Sequence, residues 1–440
     1  MLGYVTLATF VLSLTICIVF GVDLVNALIF GAILFYSYGA FTMKDAKRAF
    51  ISMISGLNTI KNIIMIFLLI GCLTATWRFS GTIAYIIYRI VPIVDARYFL
   101  LYTFLLCSMM SMLMGTSIGS CASMGVVCMV ISKYIGINPV YMGGAILSGI
   151  YVGDRTSPMS SSAALVAELT KTDIYINIKN MIKSGTSAFT VSCILYAFLG
   201  FGKGYAALID FSVLDVFSDN FIMSPLLLLP AVLIIVLSLF RLDVRIVISA
   251  SVITGCFISF LVQKTTPLDM LKMCVFGYKS AYPELAVYMD GGGIFSMIKA
   301  GLIVGISSTY FGIFKDTDIL SGVKKLPESI SDRFGRYFAT LVCAVFTSAV
   351  ACNQTLASML TYRLTDTIHE DKYIHALDIE NSAILVPAVI PWNIACAIPM
   401  VMAGFDIRSL VFAFFCILVP IRCMIKEFLQ RRKTVQQKTR

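Results

Sequence analysis

From Leu2 to Met424 the chain repeats one pattern, long apolar runs separated by short polar or glycine-containing links. A helix needs roughly 17 to 25 apolar residues to cross a hydrocarbon core of about 30 Å. Runs of that kind predict spans at Leu2–Phe20, Leu24–Phe41, Asn62–Trp77, Tyr98–Met114, Pro139–Val152 and Ile178–Phe201. Further spans are predicted at Pro225–Phe240, Ile246–Val262, Gly293–Phe314, Tyr337–Val350, Ser382–Met402 and Ser409–Met424. The expectation is an all-α polytopic membrane protein with about 10–13 transmembrane helices. Met1–Phe20 has no basic leader and no small-residue cleavage site, so it reads as a retained helix rather than a signal peptide. Met43–Thr59 alternates charged and apolar faces and is predicted to lie along the membrane surface.

Composition sharpens this picture. Hydrophobic residues make up 59% of the 440 positions and charged residues only 13%; mean hydropathy is +0.90. Too little polar surface exists to cover a soluble globule. The basic residues cluster at Lys44, Lys47, Arg48 and Lys61, and again at Arg422, Lys426, Arg431, Arg432, Lys433, Lys438 and Arg440. Both regions are therefore expected in the cytoplasm, and the net charge of +10 reports topology and contact with anionic lipid, not nucleic acid. The 13 cysteines form no C-x-x-C pair, and His369 and His375 form no zinc motif. No phosphate-binding loop with its terminal lysine occurs, so neither a resident cofactor nor direct use of ATP is expected.

Two interrupted stretches stand out. In GDRTSPMSSSA, Gly153–Ala163, Pro158 removes a backbone donor and Gly153 loosens the turn, so the helix is expected to break there. Freed backbone groups are tolerated only where they line a cavity or are buried in protein, which makes Asp154, Ser157, Ser160, Ser161 and Ser162 a candidate polar site. Downstream, Glu380-Asn381-Ser382 leads into a run broken by Pro387, Pro391 and Pro399 and holding Trp392 and Asn393. Pro158 precedes Asp173, and Pro391 precedes Asp406, by the same 15 positions. Each stretch also follows an earlier polar break, Gly115–Ser120 in one half and Ala351–Thr355 in the other. Paired broken helices of this kind point to a secondary transporter whose site lies between two repeats. One transmembrane domain over 1–440 is expected, with halves 1–205 and 206–424 and a basic tail 425–440.

The run GAILSGIYVGDRTSP, Gly144–Pro158, resembles the NhaC family of sodium/proton antiporters, which includes malate/lactate antiporters. Thr172-Asp173-Ile174, the Glu380-x-Ser382 pair and Ile390-Pro391-Trp392-Asn393 are similar to the same family's later motifs. The resemblance implies a fold of two inverted repeats with broken helices; the lack of a cleavable signal and the short loops point to a bacterial cytoplasmic membrane. The resemblance also implies Na+ and H+ as cargo, no enzymatic activity, and a cycle of alternating access. This chain departs from the family where acids are expected: Ser161, Asn353 and Asn381 stand at three such positions, and Ala164 replaces an expected amide.

Asp154, Glu380 and Glu168 are thus the remaining candidates for ion or proton coupling. Ser157, Ser160, Ser161, Asn353 and Asn393 are the candidates for neutral coordination, with Gly153, Pro158 and Pro391 holding the breaks open. Each acid has a structural alternative: Asp154 can neutralise Arg155, Glu380 can cap a helix N-terminus, and Glu168 can pair with Lys171. The lost acids and added hydroxyls also suit an organic solute, a carboxylate or an amino acid, on the same architecture. An intramembrane hydrolase is disfavoured by the lack of a zinc motif and of a second aspartate in a comparable break. A scaffolding subunit would leave the paired breaks unexplained, and self-association into a homo-oligomer stays open.

Overall fold

The computed structural model describes residues 2–20, 22–90, 92–93, 95–201, 212–240, 242–282, 285–286, 289–317 and 326–438. The boundary between the expected halves, at 205/206, lies outside the described residues, as does Arg440.

The expected apolar runs are helical. The first group is α1 (Leu2–Val19), α2 (Leu24–Met43), α3 (Ala46–Leu57), α4 (Lys61–Phe79) and α5 (Thr82–Ile90). Next come α6 (Phe99–Met114), α7 (Ser117–Ile135, with a π turn at Cys121–Gly125), α8 (Pro139–Thr156), α9 (Ser161–Thr170) and α10 (Ile174–Phe201). The second half contributes α11 (Ser212–Asn220), α12 (Leu229–Leu239), α13 (Val244–Leu261), α14 (Pro267–Phe276), α15 (Ile298–Asp316) and α16 (Leu326–Phe334). It ends with α17 (Arg336–Ala351), α18 (Gln354–Thr365), α19 (Lys372–Glu380), α20 (Ile394–Ala403) and α21 (Phe414–Lys438).

Among the described residues six helices are long and apolar enough to cross a membrane, or seven if α4 and α5, bent by 62°, count as one span. Several others are short because they are arms of broken elements. Lipid-facing positions are large and apolar: Phe198 is 77% exposed and Ile253 69%. The chain is a multi-pass, all-α membrane protein.

Four differences from the sequence reading have physical causes. Ser382–Met402 is not one span: the backbone turns after Glu380, makes a 3-10 turn at Val386–Val389, and resumes as α-helix only at Ile394. Its three prolines remove donors, and the exposed ends are rescued by Ile394 N donating to Cys352 O (2.8 Å), Trp392 Nε1 to Ala349 O (2.7 Å) and Asn393 Nδ2 to Ser348 O (2.9 Å). α7 is a long apolar helix that the expected spans leave out, although it is no less apolar than the runs on either side of it; it starts directly at the Gly115–Thr116 break. The basic stretch after Met424 is helical, since α21 continues through it to Lys438. Finally, α3 does not only lie on a surface: it buries Ala49, Ser52 and Gly56 and packs on α15, with Ser52 Oγ donating to Asp316 at 2.7 Å.

The breaks come in matched pairs. Gly115 (φ 67°) and Cys352 (φ 53°) are both left-handed; each is followed by an extended cap, Thr116 (φ −139°, ψ 130°) and Asn353 (φ −141°, ψ 131°). A second pair, Ser160 (φ −70°, ψ 126°) and Asn393 (φ −74°, ψ 137°), caps α9 and α20. At one constant offset along the chain, Asn138 matches Asp371, Pro158 matches Pro391, Ser160 matches Asn393 and Asp173 matches Asp406. Four of these residues, Asn138, Asp371, Asp173 and Asp406, accept backbone N–H bonds at the next helical turn. The arms also cross over: α9 packs on α18 and α19, while α20 packs on the start of α7. Lys133, in the last turn of α7, lies beside Gly404 at the end of α20, whereas Lys372 at the start of α19 donates to Lys171 O at the end of α9 (3.1 Å).

Gly153 does not break its helix. It lies inside α8, with Gly149 one turn before it, and this small-x-x-x-small pair lets α8 run against α6. A Cβ on Gly153 would sit 2.0 Å from Ser111 C and 2.1 Å from Met112 N, both backbone atoms that cannot move aside. Gly301, by contrast, has nothing within 4 Å. Gly153→Ala should therefore destabilise the protein by about 1–3 kcal/mol. Gly301→Ala should be neutral or stabilising, by up to about 1 kcal/mol from helix propensity. Thermal unfolding of the two variants in detergent compares them directly.

Candidate functional site

The matched breaks meet at one cavity of about 260 Å³. Thr116, Ser117 and Ile118 at the start of α7 line it, together with Asp154 in the last turn of α8 and Ser161 and Ser162 in the first turn of α9. From the second half come Asn353, Gln354 and Thr355 at the start of α18 and Ile394 and Ala395 at the start of α20; Ile66 and Val244 close the sides. Four helix N-termini thus gather round the space, and their aligned dipoles make it favourable to negative charge.

Asp154 is the carboxylate in this lining and is only 3% exposed. Its Oδ1 accepts from Ser117 N (3.3 Å), and its Oδ2 accepts from Gln354 Nε2 (3.1 Å) and Ser162 Oγ (3.4 Å). One carboxylate therefore takes hydrogen bonds from the first residue of α7 and the first residue of α18, equivalent positions in the two halves. The backbone of Asp154 is also fixed, its N–H donating to Ser111 Oγ (3.0 Å) and its carbonyl accepting from Ser160 Oγ. Arg155 does not neutralise it: that guanidinium bonds Met181 O, Ser184 Oγ and Asn381 Oδ1 instead. Among the described residues no cation lies within ion-pair distance of Asp154.

Of the expected coordinating residues, Ser161 and Asn353 reach the cavity with Asp154. Ser157, Ser160 and Asn393 do not line it. Ser157 Oγ donates to Met112 O (2.8 Å), Ser160 Oγ accepts from Ser162 N and Ala163 N, and Asn393 Oδ1 accepts from Ala395 N (3.0 Å), so these three hold the breaks in shape. Pro158 sits in the first break; Pro391 sits in the second and lines a different cavity, beside Asp23 and Lys299. Glu380 ends a helix and caps no N-terminus; it is fully buried and lies outside the cavity lining. Glu168 is exposed on α9, and no ion pair joins it to Lys171 among the described residues.

Gln354 is the residue that sequence reasoning missed. The signal was present: it follows the cap Asn353 as Ser117 follows the cap Thr116. Gly115–Gly119 also spells G-x-S-x-G, but Ser117 lies at a helix start with its N–H on Asp154. The chain's two histidines stack on each other at 4.0 Å elsewhere, so no serine–histidine pair forms there.

Broken helices from two halves, converging on a small polar cavity in a multi-pass helical protein, define a secondary transporter. Residues 149–426 match the Na+/H+ antiporter family, and the chain belongs to that family. It is similar to the malate-2H(+)/Na(+)-lactate antiporter of Bacillus subtilis (strain 168), 26% identical over 378 residues, which is 83% of this chain and 79% of that protein. It is likewise similar to the Na(+)/H(+) antiporter NhaC of Alkalihalophilus pseudofirmus, 24% identical over 86% of this chain and 84% of that one. The arginine/ornithine antiporter ArcD of Halobacterium salinarum is 26% identical over 86% of this chain and 80% of its own length.

Gln354 Nε2 also donates to Ile384 O (2.9 Å), so it ties the site carboxylate to the second break. Gln354→Leu removes one hydrogen bond from the buried Asp154 carboxylate and one from Ile384 O, the first worth about 1–3 kcal/mol. The concentration of cargo cation needed for half-maximal flux should rise roughly ten-fold or more, read in reconstituted vesicles.

Proposed function

We propose that this protein is a secondary-active antiporter of the cytoplasmic membrane that exchanges Na+ for H+ by alternating access. The observation that carries this reading is Asp154: a buried carboxylate, paired with no cation among the described residues, bonded from both halves and lining the cavity where the breaks meet. When ionised, Asp154 supplies the charge a sodium ion needs, and the oxygens of Ser161, Ser162, Gln354 and Thr355 offer neutral ligands beside it. A proton on Asp154 removes that charge and releases the ion, so the two cargoes exclude each other. Na+ and H+ are cargo in this cycle, and no resident cofactor or covalent chemistry is called for.

The halves are best read as repeats of opposite orientation. In support, α7 and α20 end beside each other, while α9 ends beside the start of α19. Rocking one set of broken arms against the other would then open the same cavity to either side.

A second reading, exchange of an organic anion, is favoured by a different observation. Four helix N-termini face a cavity in which Ser161 and Asn353 stand where the family resemblance implies acids. Such a lining holds a carboxylate group well, and two of the similar proteins are named for organic cargo.

Purified protein in sealed vesicles with a trapped pH dye tests both. A sodium gradient should drive a pH change that lithium, potassium and choline controls calibrate, and Asp154→Asn should abolish it while the protein stays monodisperse. Full sodium-driven proton flux in Asp154→Asn would sink the assignment. Proton flux driven by malate, lactate or an amino acid in place of sodium would select the second reading.

A further inference from the structure

The last turn of α8 carries two charged residues in succession, and only Asp154 faces the cavity. Arg155 enters a closed polar pocket bounded by α10, α19 and α21, and neither Arg155 nor Glu380 has exposed surface. The Nη2 atom of Arg155 donates to Met181 O (3.0 Å), Ser184 Oγ (2.7 Å) and Asn381 Oδ1. Among the described residues its Nε and Nη1 are buried with no partner, and so are both carboxyl oxygens of Glu380, the residue next to Asn381. Among the described residues no nitrogen–oxygen pair between the two side chains lies within 4.0 Å.

A buried ionised carboxylate without a donor is costly, whereas its protonated form is neutral. A guanidinium keeps its charge, and this one spreads it over three acceptors. The pocket therefore accommodates Glu380 in two forms: neutral as arranged here, and ionised once the two free donors of Arg155 turn to it.

The other ionisable neighbours are already engaged or remote. On α19 itself, Asp378 is held by Arg336 (3.2 Å) and His369 (3.1 Å), while His375 bonds Thr365. From α17, the Tyr337 hydroxyl donates to Asn381 O (3.0 Å). On α21, Arg422 bonds Ser184 O, Glu427 accepts from Tyr337 N, and Cys423 lies near Arg155. Glu168, Lys179, Lys183 and Arg363, on the remaining packed helices, are exposed.

The geometry points to a second proton site: Glu380 binds and releases a proton outside the cargo cavity, with Arg155 as its positioning residue, so that each cycle moves one proton more than Asp154 exchanges. This inference rests on the antiport reading for its place in the cycle. The proton leaves the Glu380 carboxyl for water, and the carboxylate left behind is compensated by Arg155.

Infrared difference spectra of the reconstituted protein across pH read the site without any cargo. The wild type should give a protonated-carboxyl C=O band at neutral pH that survives Asp154→Asn, disappears in Glu380→Gln and returns in Glu380→Asp. In Arg155→Gln the same band should titrate at more alkaline pH, because the ionised form has lost its counter-charge. In vesicles, the zero-flux potential should report one proton fewer per cation in Glu380→Gln. A band untouched by Glu380→Gln, or an unchanged proton-to-cation ratio in that variant, overturns the second site. Cation-driven proton flux surviving in Asp154→Asn instead overturns the reading of the cavity, and leaves the Glu380 band to be judged by itself.

Discussion

A lipid bilayer offers nothing to hydrogen-bond, so a helix can break inside it only where the freed amides and carbonyls find partners in the protein. That constraint organises this molecule. Each break is closed by a cap of its own, at Thr116, Ser160, Asn353 or Asn393, and then by a group from another break. Ile394 N reaches Cys352 O, Ser117 N reaches Asp154, and Gln354 reaches both Asp154 and Ile384 O. The polar cavity exists because the breaks satisfy one another across it.

Charge is sorted by the same geometry. Asp154 and Arg155 are neighbours in sequence, yet α8 places them on different sides, one toward the four helix N-termini and the other toward Ser184 and Asn381. Had they paired with each other, the cavity would hold no net charge and could not tell a cation from water. Their separation leaves a carboxylate in the cavity lining, and it leaves Arg155 to steady the second break from behind. The close seat of α8 on α6, made possible by Gly149 and Gly153, fixes the rotation that aims each side chain.

Much of this was legible along the chain. The apolar runs, the prolines at 158 and 391 and the matching distances to Asp173 and Asp406 depend on composition and spacing, which local physics converts directly into spans, breaks and caps. The family resemblance rested on motifs at those same breaks. Where the reading slipped, the cause was local ambiguity: a glycine such as Gly153 can loosen a helix or admit a neighbour. An acid such as Glu380 can open a helix or close one, and the sequence around it does not distinguish the two.

By itself, then, the sequence determined that this is an all-α membrane protein with paired broken helices, because hydropathy and proline act over a few residues. Only the tertiary structure decided which polar groups share the cavity. Gln354 joins Asp154 across 200 positions of chain, Ser157, Ser160 and Asn393 turn out to be braces, and Glu380 is withdrawn to a pocket with Arg155. Those outcomes depend on how helices rotate and cross once packed, and packing joins residues whose separation along the chain carries no signal of their contact.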